Sequence, residues 1–360
     1  MFVSATNIPT AYANGSLRPT DILLTDGVPA ELPYVAGIIT FAAATPNSHV
    51  AILAKSYNVP FVYIAEQGMR DRILSYTNRE VALQLTTPDS LGTLSSCRML
   101  LIGLDADFDP ALKAELLALK QPPPLNIRRK ERFGAYTSLT TDLRPEDARF
   151  FGGKAANFGL LRRVLPTNSP TPSLAISMDL WDDFMDQVMS SGLTLRAETS
   201  NRLAKFTYPP NVAAVKAELS TIRSLIRNQT QFTTSQQQTI LAALSPLATN
   251  RNIRFRSSSN VEDSDYFSGA GLYDSFSGCS GDDLDGDNSG PSICDPNDDG
   301  ERDVFRAIRR VYASFYNDNA FLERLRLMAN ELGGRAGKLH LEHRFQLFPG
   351  IAANESSPRV

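Results

Sequence analysis

Between Arg254 and Gly271 the chain reads RFRSSSNVEDSDYFSGAG, and no other run narrows the possible folds as much. Arg254 and Arg256 flank Phe255 with a period of two, so an extended strand turns both guanidiniums to one face and the ring to the other. That strand, Asn252 to Ser258, runs straight into serines and a glycine-flanked acidic loop. Arginine forks match phosphate oxygens, while serine hydroxyls and the FSGAG glycines supply donors and close backbone approach. The bland alternative is a surface strand with solvated arginines; the serine and glycine content of the adjoining loop weighs against it.

Two further stretches carry related chemistry. In GGKAANFG, Gly152 and Gly153 let backbone amides approach an anion, Lys154 adds a point charge, and a helix opens. The spacing is not that of a Walker A loop, and a Gly-Gly pair before a helix is by itself most often a turn. TPNSHVAILAK holds His49, one of three histidines in the chain. Val50, Ala51, Leu53, Ala54 and Tyr57 fall on one helical face, Ser48 is placed to cap the start, and Asn58 and Pro60 stop the helix. With the Thr45 and Ser48 hydroxyls just before it, His49 sits where helix N–H groups favour a bound phosphate. A neutral imidazole there can attack a phosphoryl group. A lone histidine is more often packed or solvated than nucleophilic, so the setting carries this reading.

At 360 residues the chain is long enough for two domains with sizeable cores. A content of 42% hydrophobic and 21% charged residues is that of a globular protein, and a net charge of −3 disfavours nucleic acid as a partner. No apolar run is long enough for a membrane span, and the amino terminus lacks the features of an export signal. Cys97, Cys279 and Cys294 are an odd count without metal-ligand spacing, so at most one bridge can form; a reducing cytoplasm is the expected setting. Cys279 and Cys294 are placed to be bridged in an oxidising one.

The fold class expected is α/β and α+β in two domains. Residues 1–95 alternate strands (DILLT, AGIITFA, PFVYIA, REVALQL) with the His49 helix. Residues 96–134 read as a linker, with a short helix-like ALKAELLALK before the prolines of QPPPLNIRRKE. Residues 135–360 carry helical patterns over 155–164, 180–189, 212–227, 235–244 and 301–332, and strands at SLAIS and NIRFRSS. Residues 281–303, GDDLDGDNSGPSICDPNDDGERD, have little to bury and read as a mobile, solvated surface insertion. The insertion echoes a calcium loop only superficially, because the glycine and distal glutamate positions of an EF-hand fail.

These motifs resemble those of the phosphohistidine dikinase group, which includes pyruvate phosphate dikinase, phosphoenolpyruvate synthase and glucan water dikinase. TPNSHVAILAKSYNVP is similar to the signature of that group's swivelling β/β/α domain and matches its phospho-accepting histidine to His49. GGKAANFGLL resembles the opening of the group's ATP-grasp domain, whose phosphate-contacting lysine falls on Lys154. RSSSNVEDSDYFSGAG resembles the segment that sets a nucleotide-contacting arginine at Arg256, with Ser257, Glu262 and Asp263 in the same loop. The helix AIRRVYASFYNDNA is similar to the one that follows. The resemblance implies ATP and Mg2+ as cofactors and transfer of a β-phosphoryl group to His49, then to an acceptor that the sequence does not identify. Metal ligands are unassigned. The histidine domain comes first, as in glucan water dikinase. The ATP-grasp domain looks partial, with HRFQLFPGIAAN resembling the opening of its second lobe. A truncated, non-catalytic nucleotide-binding or phosphocarrier module is the alternative.

Overall fold

The computed structural model describes the chain apart from residues 30–32, 46–47, 57–58, 87–97, 106–107, 120–129, 167–172, 248–249, 261–270, 288, 296, 332–348 and 356–360. It divides into two compact units. One comprises Met1–Pro123, Thr207–Val215 and Arg326–Gly334; the other comprises Pro124–Phe206, Lys216–Leu325 and Arg335–Val360.

In the first unit a short helix α1 (Ile8–Ala13) precedes β1 (Ile22–Thr25) and β2 (Gly37–Thr40). Helix α2 (His49–Ser56) then crosses to β3 (Phe61–Tyr63), and the three strands lie parallel in the order β1-β2-β3. Parallel strands require such a crossover, and β2-α2-β3 is therefore a βαβ unit. Helix α3 (Gln67–Leu74) leads to an antiparallel pair, β4 (Val81–Thr86) and β5 (Arg98–Gly103). Leu24, Ile39, Ile64, Ile73 and Leu83 are buried together, with Met99 and Leu101 of β5 packed against them. The sequence places residues 96–134 in a linker, whereas β5 within that span has both a partner strand and a core to cover. It is followed by α4 (Pro110–Ala118), capped where the Asp109 carboxylate accepts from the Ala111 N–H at 2.8 Å.

The second unit contains β6 (Thr137–Leu139), α5 (Ala148–Phe151), α6 (Gly153–Val164), β7 (Ser173–Ile176) and α7 (Met178–Met185). These are followed by α8 (Leu195–Leu203), most of α9 (Val212–Ser224), α10 (Thr234–Leu244), β8 (Ile253–Ser259) and β9 (Ser275–Gly278). The last elements are α11 (Val304–Ser314), the greater part of α12 (Asp318–Glu331) and β10 (Pro349–Glu355). The strands form a five-stranded sheet in the order β6-β7-β10-β8-β9, antiparallel at every junction. The described residues of HRFQLFPGIAAN, which resembles the opening of a further lobe, form β10 together with Glu355 and fill the slot between β7 and β8. Their glycine and alanines have weak strand propensity, so neighbours rather than local preference make this strand.

Aromatic packing binds the helices beside the sheet. Trp181 of α7 meets Tyr312 of α11 edge-on at 4.8 Å between ring centroids, and Phe184 lies 4.8 Å from Phe232. The periodicity predicts one helix over 301–332, but α11 and α12 are separate. Arg324 donates to the Phe315 carbonyl, while Arg223 donates to the Tyr316 carbonyl at 2.6 Å and to Asp318 at 2.7 Å. Side chains thus satisfy the backbone groups exposed at the break. The helix predicted over 212–227 likewise changes character, with a π turn over Leu225–Gln229.

The acidic insertion is not the solvated spacer that its composition predicts. A disulfide joins Cys279 to Cys294, and Cys279 N–H donates to the Arg302 carbonyl at 2.6 Å, closing the base of the loop. Asp282 is 4% exposed and accepts from the N–H groups of Ile293 at 2.9 Å and Arg302 at 2.8 Å. Asp303 caps α11 by accepting from Arg306 N–H at 2.7 Å. The aspartates organise backbone in place of an apolar core, which composition alone does not reveal.

Asp283 accepts from Val304 N–H at 2.7 Å, yet burial first and then the carboxylates of Asp303, Asp282 and Asp285 push its pKa up to about 7. The native state therefore binds a proton that the unfolded chain has released between about pH 4 and 7, so stability falls as pH rises through that window. We expect Asp283→Asn to flatten this decline, which amounts to about 2–4 kcal/mol if the full shift is expressed. Denaturant melts at pH 4.5 and 7.5 measure it; equal slopes in the variant and the parent would contradict it.

Candidate functional site

The clearest built feature among the predicted site residues is the junction of α6 with the loop end of β8. Gly152 adopts φ +84° and ψ 165°, a conformation essentially confined to glycine. A Cβ placed there would overlap the Ser258 carbonyl and stand 2.6 Å from its Oγ. The absence of a side chain thus lets β8 approach the first turn of α6. The Ser258 hydroxyl uses that proximity, accepting from the Ala155 N–H at 2.9 Å. Gly153 opens the helix and Lys154 follows in its first turn.

On β8 the predicted alternation is present. Phe255 is fully buried and Arg256 is exposed, with Ser257, Ser258 and Ser259 buried beyond them. Arg254 donates to the Ser277 hydroxyl at 3.2 Å, its register partner on β9. Ser258 shares the arginine face, being two residues beyond Arg256. The sequence reading names Ser257 and passes over Ser258, although the period of two that orients the arginines also brings Ser258 to their side. Glu262 and Asp263 lie outside the described residues. Gly152 and Ser258 therefore meet at one junction, with Gly153 and Lys154 next along α6 and Ser257 and Arg256 before Ser258 along β8.

Helix α6 runs 12 residues, and its N-terminal dipole end lies at this junction. Glycine backbone, a helix start, a lysine and an arginine-bearing strand are the elements that bind phosphate groups. Residues 148–331, just over half of the chain, match the family model for the AMP/ATP-binding domain of pyruvate phosphate dikinase. The chain belongs to the pyruvate phosphate dikinase family. No curated protein matches it.

The match to the pyruvate phosphate dikinase family takes in Gly152, Gly153, Lys154, Arg256 and Ser257, and identifies the second unit as the one that binds ATP or AMP. It does not extend to Thr45, Ser48 and His49 in the first unit. There the backbone of His49 opens α2 immediately after the loop that leaves β2. This is the carboxyl end of a parallel strand, the edge at which open α/β sheets collect ligands. Ser48 accepts from the Ala51 N–H at 3.3 Å and so caps α2, while Thr45 is exposed and its carbonyl accepts from Ser48 N–H at 3.0 Å. No helix among the described residues is long and apolar enough to cross a membrane.

Grouped metal-ligand side chains among the described residues lie in the acidic insertion and not at the α6–β8 junction: Asp282, Asp285 and Glu301, and Asp282 with Cys279 and Cys294. The second group offers no thiolate, because its cysteines are joined to each other.

We expect Gly152→Ala to lower the Tm of the second unit by about 6–12 °C, from strain and overlap worth about 3 kcal/mol, and to weaken ATP binding. Ser258→Ala, which removes only the cap, should cost about 1 kcal/mol. Thermal melts with and without ATP measure both, and an unchanged melt for Gly152→Ala would contradict the close approach.

Proposed function

We propose that the chain is an ATP-dependent phosphotransferase of the dikinase type, with His49 as the phosphoryl carrier. The observation that carries this reading is the family match over the second unit, which contains the Gly152–Ser258 junction with Lys154 and Arg256 beside it. Support from the first unit is the position of His49 at the start of the crossover helix of a βαβ unit.

In this reading Gly152 and Gly153 bring backbone donors to the phosphates of ATP, Ser257 lies in the strand beside them, and Lys154 and Arg256 supply the compensating charge. Thr45 and Ser48 support the phosphate at the His49 end, and Glu262 and Asp263 shape the loop after β8. An unprotonated His49 nitrogen forms a bond to the β-phosphorus as the bond to the α-phosphate oxygen breaks, and AMP leaves. Water then cleaves the bond between the γ-phosphorus and the β–γ bridging oxygen, which releases the terminal phosphate and leaves the β-phosphoryl group on His49, from which an acceptor such as pyruvate or a glucan takes it. The energetic gain lies mostly in positioning and charge neutralisation. Mg2+ serves such chemistry by neutralising the nucleotide phosphates. No grouped carboxylates among the described residues fit it at the junction, so no step here is assigned to it.

Because the family match covers the second unit and not His49, there is a second reading, a nucleotide-binding or phosphocarrier module that does not turn ATP over. The two differ in product: the first converts ATP to AMP and phosphate, and the second only raises the melting temperature with nucleotide.

Incubation of the chain with ATP labelled at the β-phosphate should give acid-labile, base-stable label on the protein and none on His49→Ala. A wild-type chain that stays unlabelled while its melting temperature rises with ATP supports the binding module. Equal labelling of His49→Ala rejects the carrier role.

A further inference from the structure

On the opposite face of the sheet from Arg256, the second unit has a cavity of about 270 Å³ lined by Arg227, Asn228, Phe276, Arg306 and Arg310. Its face follows from the register. Phe276 pairs with Phe255, and directly paired residues project to the same side, so Phe276 lies away from the face that bears Arg254 and Arg256. Helix α11 covers that side, where a Cβ on Gly278 would stand 3.1 Å from Ala307.

Three elements converge on the cavity. Arg306 and Arg310 are four residues apart on α11 and so share one face of the helix. The Arg310 guanidinium lies 5.5 Å from the centre of the Phe276 ring. Arg227 and Asn228 come from the π turn Leu225–Gln229, a wider turn of the kind found at functional sites.

Such a gathering of like charge is unfavourable unless something compensates it. Among the described residues none of these three arginines forms an ion pair with a carboxylate. Arg306 donates one N–H to the Glu301 carbonyl at 2.7 Å, which leaves the rest of its fork for other partners. Burial and then the charges of Arg306 and Arg227 lower the pKa of Arg310, with Asp303 opposing. Burial and then Arg223 do the same to Arg227, with Asp274 opposing. A dianionic group in the cavity would relieve this repulsion. Guanidinium forks suit tetrahedral oxyanions, the Asn228 amide offers a further donor, and the Phe276 ring offers a face to an attached organic group.

We propose that this cavity is a second anion site, taking the phosphate group of a small soluble phosphorylated molecule and separate from the nucleotide contacts at the α6–β8 junction. Its volume exceeds what a bare phosphate fills, leaving room for a compact organic portion against Phe276.

Inorganic phosphate, titrated into the chain in chloride buffer and followed by calorimetry, is the simplest probe. Saturable binding is expected, weakened at least tenfold in the double variant Arg227→Ala/Arg306→Ala and unchanged in Arg72→Ala, which removes an exposed arginine of α3. If the double variant melts early, Arg306→Gln alone replaces it, with at least threefold weakening expected. No saturable binding, equal weakening in Arg72→Ala, or full affinity in the Arg227 and Arg306 variants would each overturn the proposal. So would a phosphoserine peptide that binds more tightly than inorganic phosphate, since the site would then belong to a protein partner.

Discussion

The closeness of Gly152 to Ser258 is the constraint on which the nucleotide-binding unit turns. With any side chain at residue 152, β8 and α6 must separate, and the Ser258 hydroxyl loses the Ala155 N–H that it caps. One residue without a Cβ thus sets the distance between an arginine-bearing strand and the start of a lysine-bearing helix. Because β8 lies between β10 and β9, the same residue is tied into the whole five-stranded sheet. A phosphate-binding junction gains precision from being built on regular elements of this kind rather than on a free loop.

The two units carry different chemistry. One supplies glycine backbone, hydroxyls and guanidinium charge on an antiparallel sheet; the other offers a histidine at the start of a helix that crosses between parallel strands. Serine caps recur in both, with Ser258 on the first turn of α6 and Ser48 on that of α2. In each case a hydroxyl fixes a helix start whose dipole favours negative charge. The acidic insertion adds a cross-linked loop held by Asp282 and Asp283, with its own dependence on pH.

Much of this was legible in the sequence wherever a local rule decided the structure. The alternation Arg254-Phe255-Arg256 predicts β8 and its two faces, the helix over 155–164 extends only to Gly153, and Ser48 caps α2. What the sequence hid was decided by distant partners. Strand β10 has glycine and alanine where strand formers are expected, and it exists because β7 and β8 flank it. Strand β5 pairs with β4 and covers a core that its own residues do not announce. The split between α11 and α12 depends on Arg223 and Arg324, whose roles no periodicity encodes. Composition misjudged the insertion for a related reason: aspartates that look solvated accept from backbone N–H groups once a disulfide has closed the loop.

Amide hydrogen exchange on the intact chain with and without ATP tests the central claim most directly. If the junction holds the nucleotide phosphates, ATP should slow exchange together over 153–156 at the start of α6 and 254–260 along β8. Slowing of exchange elsewhere in the second unit, with both of these segments unchanged at saturating ATP, would show that nucleotide binds by another route and would contradict the account.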